Sequence, residues 1–222
     1  MKVIIVNSNP IYKKLELTCK HLLSCIVINE KMHFNFDNIS AINPDYIFFP
    51  HWSYLISDQI FEKFNCIVFH MTDLPYGRGG SPLQNLIVKG HTETKISALK
   101  VVRELDAGDI YLKEDLDLSG TATEIFERAS NIMIKMILNI IETNPTPQPQ
   151  MGEVTIFKRR KPNESDISKL SETEKVYDYI RMLDCEGYPN AYIETEHFKF
   201  EFINADYSQD NLINAHVRIT KK

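Results

Sequence analysis

The stretch that decides the fold is CIVFHMTDLPYGRGGSPLQ, from Cys66 to Gln84. Its first four residues are an apolar run, which predicts a buried strand. His70 stands at the end of that strand, and the glycines after it predict a loop whose backbone comes close to a ligand. A polar ring at a strand end beside such a loop is typical of α/β enzyme sites. A strand end with a merely hydrogen-bonded histidine explains the same residues equally well.

Outward from this stretch, strand and helix patterns alternate from the N-terminus to about residue 115. We expect the fold class to be α/β, a mostly parallel twisted sheet of Rossmann-like type with helices on both faces. The predicted strands are Val3–Val6, Cys25–Ile28, Tyr46–Phe49, Cys66–Phe69, Lys95–Val102 and Ile110–Asp115. The predicted helices are Tyr12–Leu23, Asp58–Phe64, Pro82–Val88 (with Ser81 as its cap) and Thr121–Ile141.

A ligand site in such a sheet lies beyond the carboxyl ends of the strands. Asn9, His51 and His70 all follow predicted strands, so we expect them at that edge. The long helix predicts an inward face made of Ile125, Phe126, Ala129, Met133, Met136 and Ile137.

Three segments divide the chain of 222 residues. We expect a catalytic domain at 1–143, a proline-rich extended connector at 144–150, and a small α+β accessory region at 151–222. The accessory region is predicted to contain a helix at Glu172–Leu183 and strands at Ala191–Ile193, Phe198–Ile203 and Ala215–Ile219.

Composition narrows the class of protein. The net charge of −5 argues against a protein that clamps a nucleic-acid backbone. The four cysteines show neither CxxC spacing nor metal-ligand spacing, so we expect reduced, packed thiols and no metal. The N-terminal apolar run is too short for a signal peptide, and no stretch is long enough to span a membrane. We therefore expect a cytoplasmic protein without a membrane partner, and leave open whether it forms a homodimer.

Two motifs together resemble one enzyme family. The first is H-x-x-x-L-P-x-x-R-G-x-x-P-x-Q from His70 to Gln84, and the second is L-D-x-G-D from Leu105 to Asp109. Both motifs, and the spacing of 36 residues between His70 and Asp106, resemble the folate-dependent formyltransferases. The similarity runs from the first strand to about residue 141.

The resemblance implies transfer of a formyl group from 10-formyltetrahydrofolate to an amine. His70 is then expected to stabilise the oxyanion that develops on the formyl oxygen. Asp106 is expected to orient His70 and to help remove the amine proton. The family holds its folate largely through backbone groups, with apolar walls. The residues implied here are Tyr54, Leu55, Ile56, Leu83, Val102, Leu105, Asp106, Ala107 and Asp109.

One position departs from the family. Asparagine usually stands two residues before the histidine as a second oxyanion donor, and this chain has Val68 there. We hypothesise that His51 supplies or supports the missing function; a packed or water-facing ring is the equal alternative. Loss of the donor also leaves open a non-catalytic domain that binds or senses folate.

The acceptor is expected to approach the loop after His70, so the predicted substrate-binding residues are Asp73, Tyr76, Arg78 and Gly79. Arg78 suits a phosphate or carboxylate; the alternative is an arginine that pins the glycine loop. Asp73 suits a substrate ammonium, or raises the proton affinity of His70; a cap on the turn at Leu74 is the alternative.

Among the family's acceptors, we expect an amino sugar, presented on a nucleotide. Methionyl-tRNA is disfavoured because the chain is short and acidic, and so we expect no nucleic acid as a partner. Glycinamide ribonucleotide is disfavoured because Asn7–Tyr12 contains no glycine. The C-terminal region resembles the sequence that follows the catalytic domain in sugar N-formyltransferases. Within that group, the stretch from Phe69 to Ile87, which lacks the usual asparagine before it, most resembles the branch of the pseudaminic-acid surface-sugar pathway. A non-sugar amine remains the alternative.

Overall fold

The structure, a computed structural model, describes residues 1–208 and 210–222. In chain order the strands and helices are β1 Val3–Asn7, α1 Lys13–Leu23, β2 Ile26–Ile28, α2 Phe36–Ile42, β3 Tyr46–His51, α3 Asp58–Phe61, β4 Cys66–His70, β5 Arg78–Gly79, α4 Pro82–Val88, β6 Glu93–Lys100, β7 Ile110–Asp117, α5 Ala122–Thr143, β8 Ile156–Phe157, α6 Thr173–Arg181, β9 Ala191–Glu194, β10 Phe198–Tyr207 and β11 Ile213–Lys221.

The chain forms two compact units whose segments interleave in sequence. The first unit comprises Met1–Gly79, Thr94–Leu116 and Phe126–Ile156; the second comprises Gly80–Glu93, Asp117–Ile125 and Phe157–Lys222. The predicted boundaries at 143 and 150 follow chain order instead, and they remain a proposal about domains.

The sheet of the first unit has six strands in the order β2-β1-β3-β4-β6-β7. Strands β1, β2, β3 and β4 run parallel to one another, whereas β6 pairs antiparallel with β4. The predicted α/β fold with a mostly parallel sheet is therefore confirmed. Parallel strands place their carboxyl ends at one edge, and β3 and β4 end there at His51 and His70.

The core of the first unit explains why these strands form. Apolar side chains of β1, β3 and β4 are fully buried together, as expected for parallel strands covered on both faces. Helix α5 also buries the predicted stripe, in which every member is at most 4% exposed: Ile125, Phe126, Ala129, Met133, Met136 and Ile137.

Two local predictions about helices were incomplete or wrong. Helix α2 was not predicted, although Asn35 caps its start by accepting from the Asn38 N–H, and Asn43 ends it in the left-handed conformation. Ser81 was predicted to cap α4. Instead its backbone is left-handed, and its hydroxyl accepts a hydrogen bond from the Arg160 N–H at 3.1 Å.

The proline-rich connector is paired with the start of β7. The Gln148 carbonyl accepts from the Ile110 N–H at 2.8 Å, and the Gln148 N–H donates to the Ile110 carbonyl at 2.9 Å. Beyond it, the Thr155 carbonyl accepts from the Arg78 N–H at 2.9 Å. The segment after residue 144 is therefore held within the first unit.

The second unit contains the three-stranded antiparallel sheet β11-β10-β9, which packs with α6. The predicted C-terminal strands and helix all form, with boundaries shifted by a few residues. Arg181, at the end of α6, is buried and donates to the carbonyls of Leu118 and Gly120. Among the helices in the described part of the chain, none is both long and apolar enough to cross a bilayer.

All four cysteines are unpaired thiols and are buried, as the sequence predicted for packing residues. Burial raises the pKa of Cys19 and of Cys66 from an ordinary value of 9.0 to about 12. The folded state therefore keeps these thiols protonated at a pH where the unfolded chain would ionise them.

This difference predicts alkaline destabilisation. Because the folded pKa is raised, its contribution to stability is fully present below about pH 9 and is lost as the pH rises from there toward 12. We expect the free energy of unfolding, measured by urea titration, to fall steadily above pH 9. The Cys66→Ala variant should show a shallower fall, and an unchanged slope in that variant would contradict the assignment.

Candidate active site

The site centres on His70, the last residue of β4, which is only 7% exposed. Its Nε2 lies 2.8 Å from the Gly77 carbonyl oxygen, and its Nδ1 lies 3.6 Å from Asp106 Oδ2. A carbonyl oxygen can only accept, so Nε2 carries a proton and donates it there. Both ring nitrogens therefore face oxygen acceptors within the first unit.

Asp106 lies in the loop after β6, and its side chain is 8% exposed. The same Oδ2 that faces His70 accepts a hydrogen bond from the Gly79 N–H at 2.9 Å. The backbone of Asp106 is left-handed, with φ of 52°. That conformation costs a residue other than glycine about 1–2 kcal/mol, so neighbouring contacts have to hold it.

Arg78 is held by protein groups. Its Nε and Nη2 donate to Gln150 Oε1 at 3.1 and 2.8 Å, and Nη1 donates to Glu104 at 3.2 Å. The contacts favour the structural alternative for Arg78, a residue that pins the glycine loop. Gly79 contributes its N–H to Asp106 and so belongs to the same arrangement.

Apolar side chains are exposed on the two loops expected to bind folate. Leu55 is 95% exposed and Leu105 66%, while Tyr54 and Val102 are also exposed. The Tyr54 ring packs edge-on against Trp52 with ring centroids 5.0 Å apart. Exposed apolar groups on adjoining loops are what a flat aromatic ligand would cover.

The rest of the predicted folate set has structural contacts. Arg103, a neighbour of Val102 outside that set, forms an ion pair with Asp58 at 2.5 Å, which links the loop after β6 to helix α3. Ile56 packs against the core, and the Asp109 carbonyl accepts from the Lys100 N–H; Ala107 is half-buried. Leu83 is a correction: it lies in the second unit and is 1% exposed, so it is a core residue and presents no wall to a ligand.

His51 ends β3, where its ring stacks on Tyr12 with centroids 6.1 Å apart. Its Nδ1 lies 3.3 Å from the Ser8 hydroxyl. Val68 is partly buried against the core of the first unit and, two residues before His70 on β4, points to the same face of the sheet. The position of the missing family donor is thus filled by an apolar side chain.

Asp73 is paired with Lys113, whose Nζ lies 2.5 Å from Oδ1 and also donates to the Leu74 carbonyl. The Asp73 carboxylate thus forms an ion pair with Lys113, whereas the sequence predicted a partner for a substrate ammonium or a cap on the turn at Leu74. Tyr76 is half-buried, and its N–H donates to the Asp73 carbonyl at 3.1 Å. Lys113 was missed from the sequence because it lies 40 residues away on β7.

No group of three or more histidine, cysteine, aspartate or glutamate residues within 1–208 and 210–222 is arranged to hold a metal ion. A polar cleft of about 390 Å³ is lined by Tyr46 and Asn65, among other residues. Tyr46 is the first residue of β3, and Asn65 directly precedes β4. The cleft is at the opposite edge of the sheet from His70.

Comparison with known proteins decides the family. Residues 29–136 match the model described as "Formyl transferase", and residues 162–220 match "Methionyl-tRNA formyltransferase, C-terminal domain". A solved structure titled methionyl-tRNA formyltransferase from Clostridium thermocellum is 48% identical, with all of both chains covered and a TM-score of 0.96. The chain belongs to the formyltransferase family.

A second similar protein is the methionyl-tRNA formyltransferase of Rickettsia africae, 30% identical over 182 residues. The match covers 76% of this chain and 59% of that protein, so this formyltransferase spans little more than half the length of such relatives. HypX from Aquifex aeolicus, solved with tetrahydrofolic acid, shares the fold at 17% identity, a TM-score of 0.76, and coverage of 92% of this chain and 38% of that one.

Family membership confirms the resemblance between the two motifs and the formyltransferases. The finer expectation of a sugar enzyme gains no such support. Two solved structures whose titles name a sugar N-formyltransferase, and a third titled 4-N formyltransferase from Francisella tularensis, are 12–18% identical with TM-scores of 0.64–0.70, which shows a shared fold alone. Both more similar proteins carry the name of the methionyl-tRNA enzyme.

Gly108 gives the site a testable constraint, because a Cβ built on it would lie 1.8 Å from the Lys100 carbonyl oxygen. We expect Gly108→Ala to displace the loop that carries Asp106 and to lower the free energy of unfolding by about 1–3 kcal/mol. The displacement should shift the NMR amide resonance of Gly79, the donor to Asp106.

Gly90→Ala is the matched control. Its φ of +82° is strained for alanine, but no atom lies within 4 Å of the added Cβ. It should lose stability without moving the Gly79 resonance. An unmoved Gly79 resonance in Gly108→Ala would show that the tight approach does not hold the loop.

Proposed function

We propose that this formyltransferase moves a formyl group from 10-formyltetrahydrofolate to the amino group of an acceptor. The observation that carries the proposal is the buried pair of His70 and Asp106, with Nδ1 and Oδ2 3.6 Å apart at the carboxyl edge of the sheet. The exposed apolar loops around Leu55 and Leu105 suit the pterin of the folate. HypX, which shares the fold, is recorded with tetrahydrofolic acid.

The chemistry follows from charge development. Attack of a neutral amine on the formyl carbon places negative charge on the formyl oxygen, and a nearby N–H donor stabilises that charge. Collapse of this intermediate breaks the bond between the formyl carbon and the folate nitrogen, and tetrahydrofolate leaves once that nitrogen has taken up a proton. His70 Nε2–H now donates to the Gly77 carbonyl, so the developing oxyanion would take the place of that carbonyl. Asp106, fixed by the Gly79 N–H, orients the ring and receives the amine proton directly or through water.

For the acceptor we propose the α-amino group of methionyl-tRNA. Two relatives that bear this name support it, one of them 48% identical over the full chain. An amino sugar remains a second candidate because of one observation, the charge. The chain carries a net charge of −5, and from Phe157 to Lys222 acidic and basic residues nearly balance. A binder of nucleic-acid phosphates usually has a basic excess.

The decisive experiment incubates the purified chain with 10-formyltetrahydrofolate and either methionyl-tRNA or a panel of free and nucleotide-linked amino sugars. Mass spectrometry should detect one added formyl group on one acceptor. We expect His70→Ala and Asp106→Asn to reduce the rate by about 10²–10⁴-fold, because each removes a group acting in the transition state.

The exposed residues His33 and Asp37 provide matched controls, and His33→Ala and Asp37→Asn should retain the wild-type rate. Folate binding without transfer to any acceptor would favour the sensing domain over the enzyme. Transfer that survives in His70→Ala would remove this residue from the mechanism.

His51 is proposed to supply or support the oxyanion donor that Val68 does not provide. Loss of such a donor typically reduces kcat by about 10²–10³-fold, and we expect His51→Ala to fall in this range while folate still binds. Ser8→Ala removes the hydroxyl beside His51 Nδ1 but leaves the ring stacked on Tyr12, so a smaller loss is expected. A fall in kcat of no more than twofold in His51→Ala would exclude its participation.

A further inference from the structure

Gln150, in the proline-rich connector, makes contacts that the proposed mechanism does not yet use. Its Oε1 accepts from two nitrogens of Arg78, at 3.1 and 2.8 Å. Its Nε2 donates to the carbonyls of Asp106 and Gly108, each at 2.8 Å. All four hydrogen-bonding positions of the amide are thus occupied.

The chemistry of the partners fixes the orientation of this amide. A guanidinium only donates and a carbonyl only accepts, so Oε1 has to face Arg78 and Nε2 has to face the loop. Glutamate at this position would keep the two acceptor bonds but would place a carboxylate against two carbonyl oxygens. Asparagine is shorter by one methylene. Among amide and acidic side chains, glutamine is the one that joins both partners at this distance.

The loop that Gln150 holds needs external support. Asp106 is left-handed there, and Gly108 passes so close to Lys100 that a Cβ does not fit. The Ala107 N–H makes only a long bond of 3.4 Å to the Glu104 carbonyl. The two bonds from Gln150 are shorter and grip the carbonyls on either side of Ala107, so they fix the turn from which the Asp106 carboxylate projects.

Gln150 is itself held on both sides. Gln148 pairs with Ile110 through two backbone hydrogen bonds, and Thr155 exchanges backbone bonds with Pro75 and Arg78. The side chain therefore reaches the loop from a backbone that is already fixed. It also ties the loop to Arg78, the residue next to Gly79, whose N–H donates to Asp106.

We propose that Gln150 is a positioning residue for the formyl transfer: its amide holds the backbone of Asp106 and Gly108 against Arg78, so that the Asp106 carboxylate stays aligned with Gly79 and His70. The inference rests on the proposed function. It assigns a role in the reaction to a residue 44 positions from Asp106 in sequence.

The test compares Gln150→Met, Gln150→Glu and the control Gln148→Met. Methionine keeps the length and loses every hydrogen bond, whereas glutamate keeps the acceptor for Arg78 and loses the two donors. Gln148 is exposed on the same connector, and its amide donates to the Thr146 carbonyl at 3.2 Å. Amide hydrogen exchange at Gly79 and steady-state kinetics with 10-formyltetrahydrofolate are measured on each full chain.

We expect both Gln150 variants to speed Gly79 exchange by about 10-fold or more and to lower kcat by a similar factor, while the KM for folate changes less than about threefold. Gln148→Met should match wild type. Unchanged Gly79 exchange in Gln150→Met, or kcat within twofold of wild type, would overturn the proposal. If wild-type protein transfers no formyl group, the proposed function fails, and the exchange measurement still decides whether Gln150 holds the loop.

Discussion

The hydrogen bond from the Gly79 N–H to Asp106 Oδ2 is the interaction on which the site depends. It joins Gly79, in the segment that follows His70, to Asp106, which lies 27 residues further along the chain in the loop after β6. Without it, the carboxylate would have no fixed direction relative to the imidazole, because their own separation of 3.6 Å is longer than a hydrogen bond. The parallel sheet brings the ends of its strands to one edge, and this hydrogen bond aligns the Asp106 carboxylate with the His70 ring there.

The sequence was sufficient where a signal is local or periodic. Apolar runs predicted every strand of the central sheet, and the 3.6-residue period predicted the buried stripe of α5. The sequence was insufficient where contacting side chains lie far apart along the chain. The pairs Lys113–Asp73 and Gln150–Arg78 are separated by 40 and 72 residues, and nothing in a single sequence marks such contacts. Helix α2 was missed because seven residues give barely two turns of periodicity.

The connector does more than join two segments of the chain. Its prolines at 145, 147 and 149 predict an extended backbone. An extended chain makes no hydrogen bonds to itself, and so its backbone and side chains are available to neighbours. Gln148 uses its backbone to pair with Ile110, and Gln150 uses its side chain to grip the Asp106 loop. The spacing of the prolines leaves these two glutamines free to do so.

The similarity to named relatives favours methionyl-tRNA as the acceptor, whereas the charge of the chain favours an amino sugar. The way in which proteins bind tRNA makes the two observations compatible. Affinity from phosphate contacts scales with the number of phosphates that basic residues neutralise. An acidic chain with a nearly balanced C-terminal region can neutralise few, so methionyl-tRNA would have to be recognised mainly at its aminoacyl end. That end presents an amine beside an ester and one terminal nucleoside. Chemically, it resembles an amine on a nucleotide, which is the acceptor class expected from the sequence.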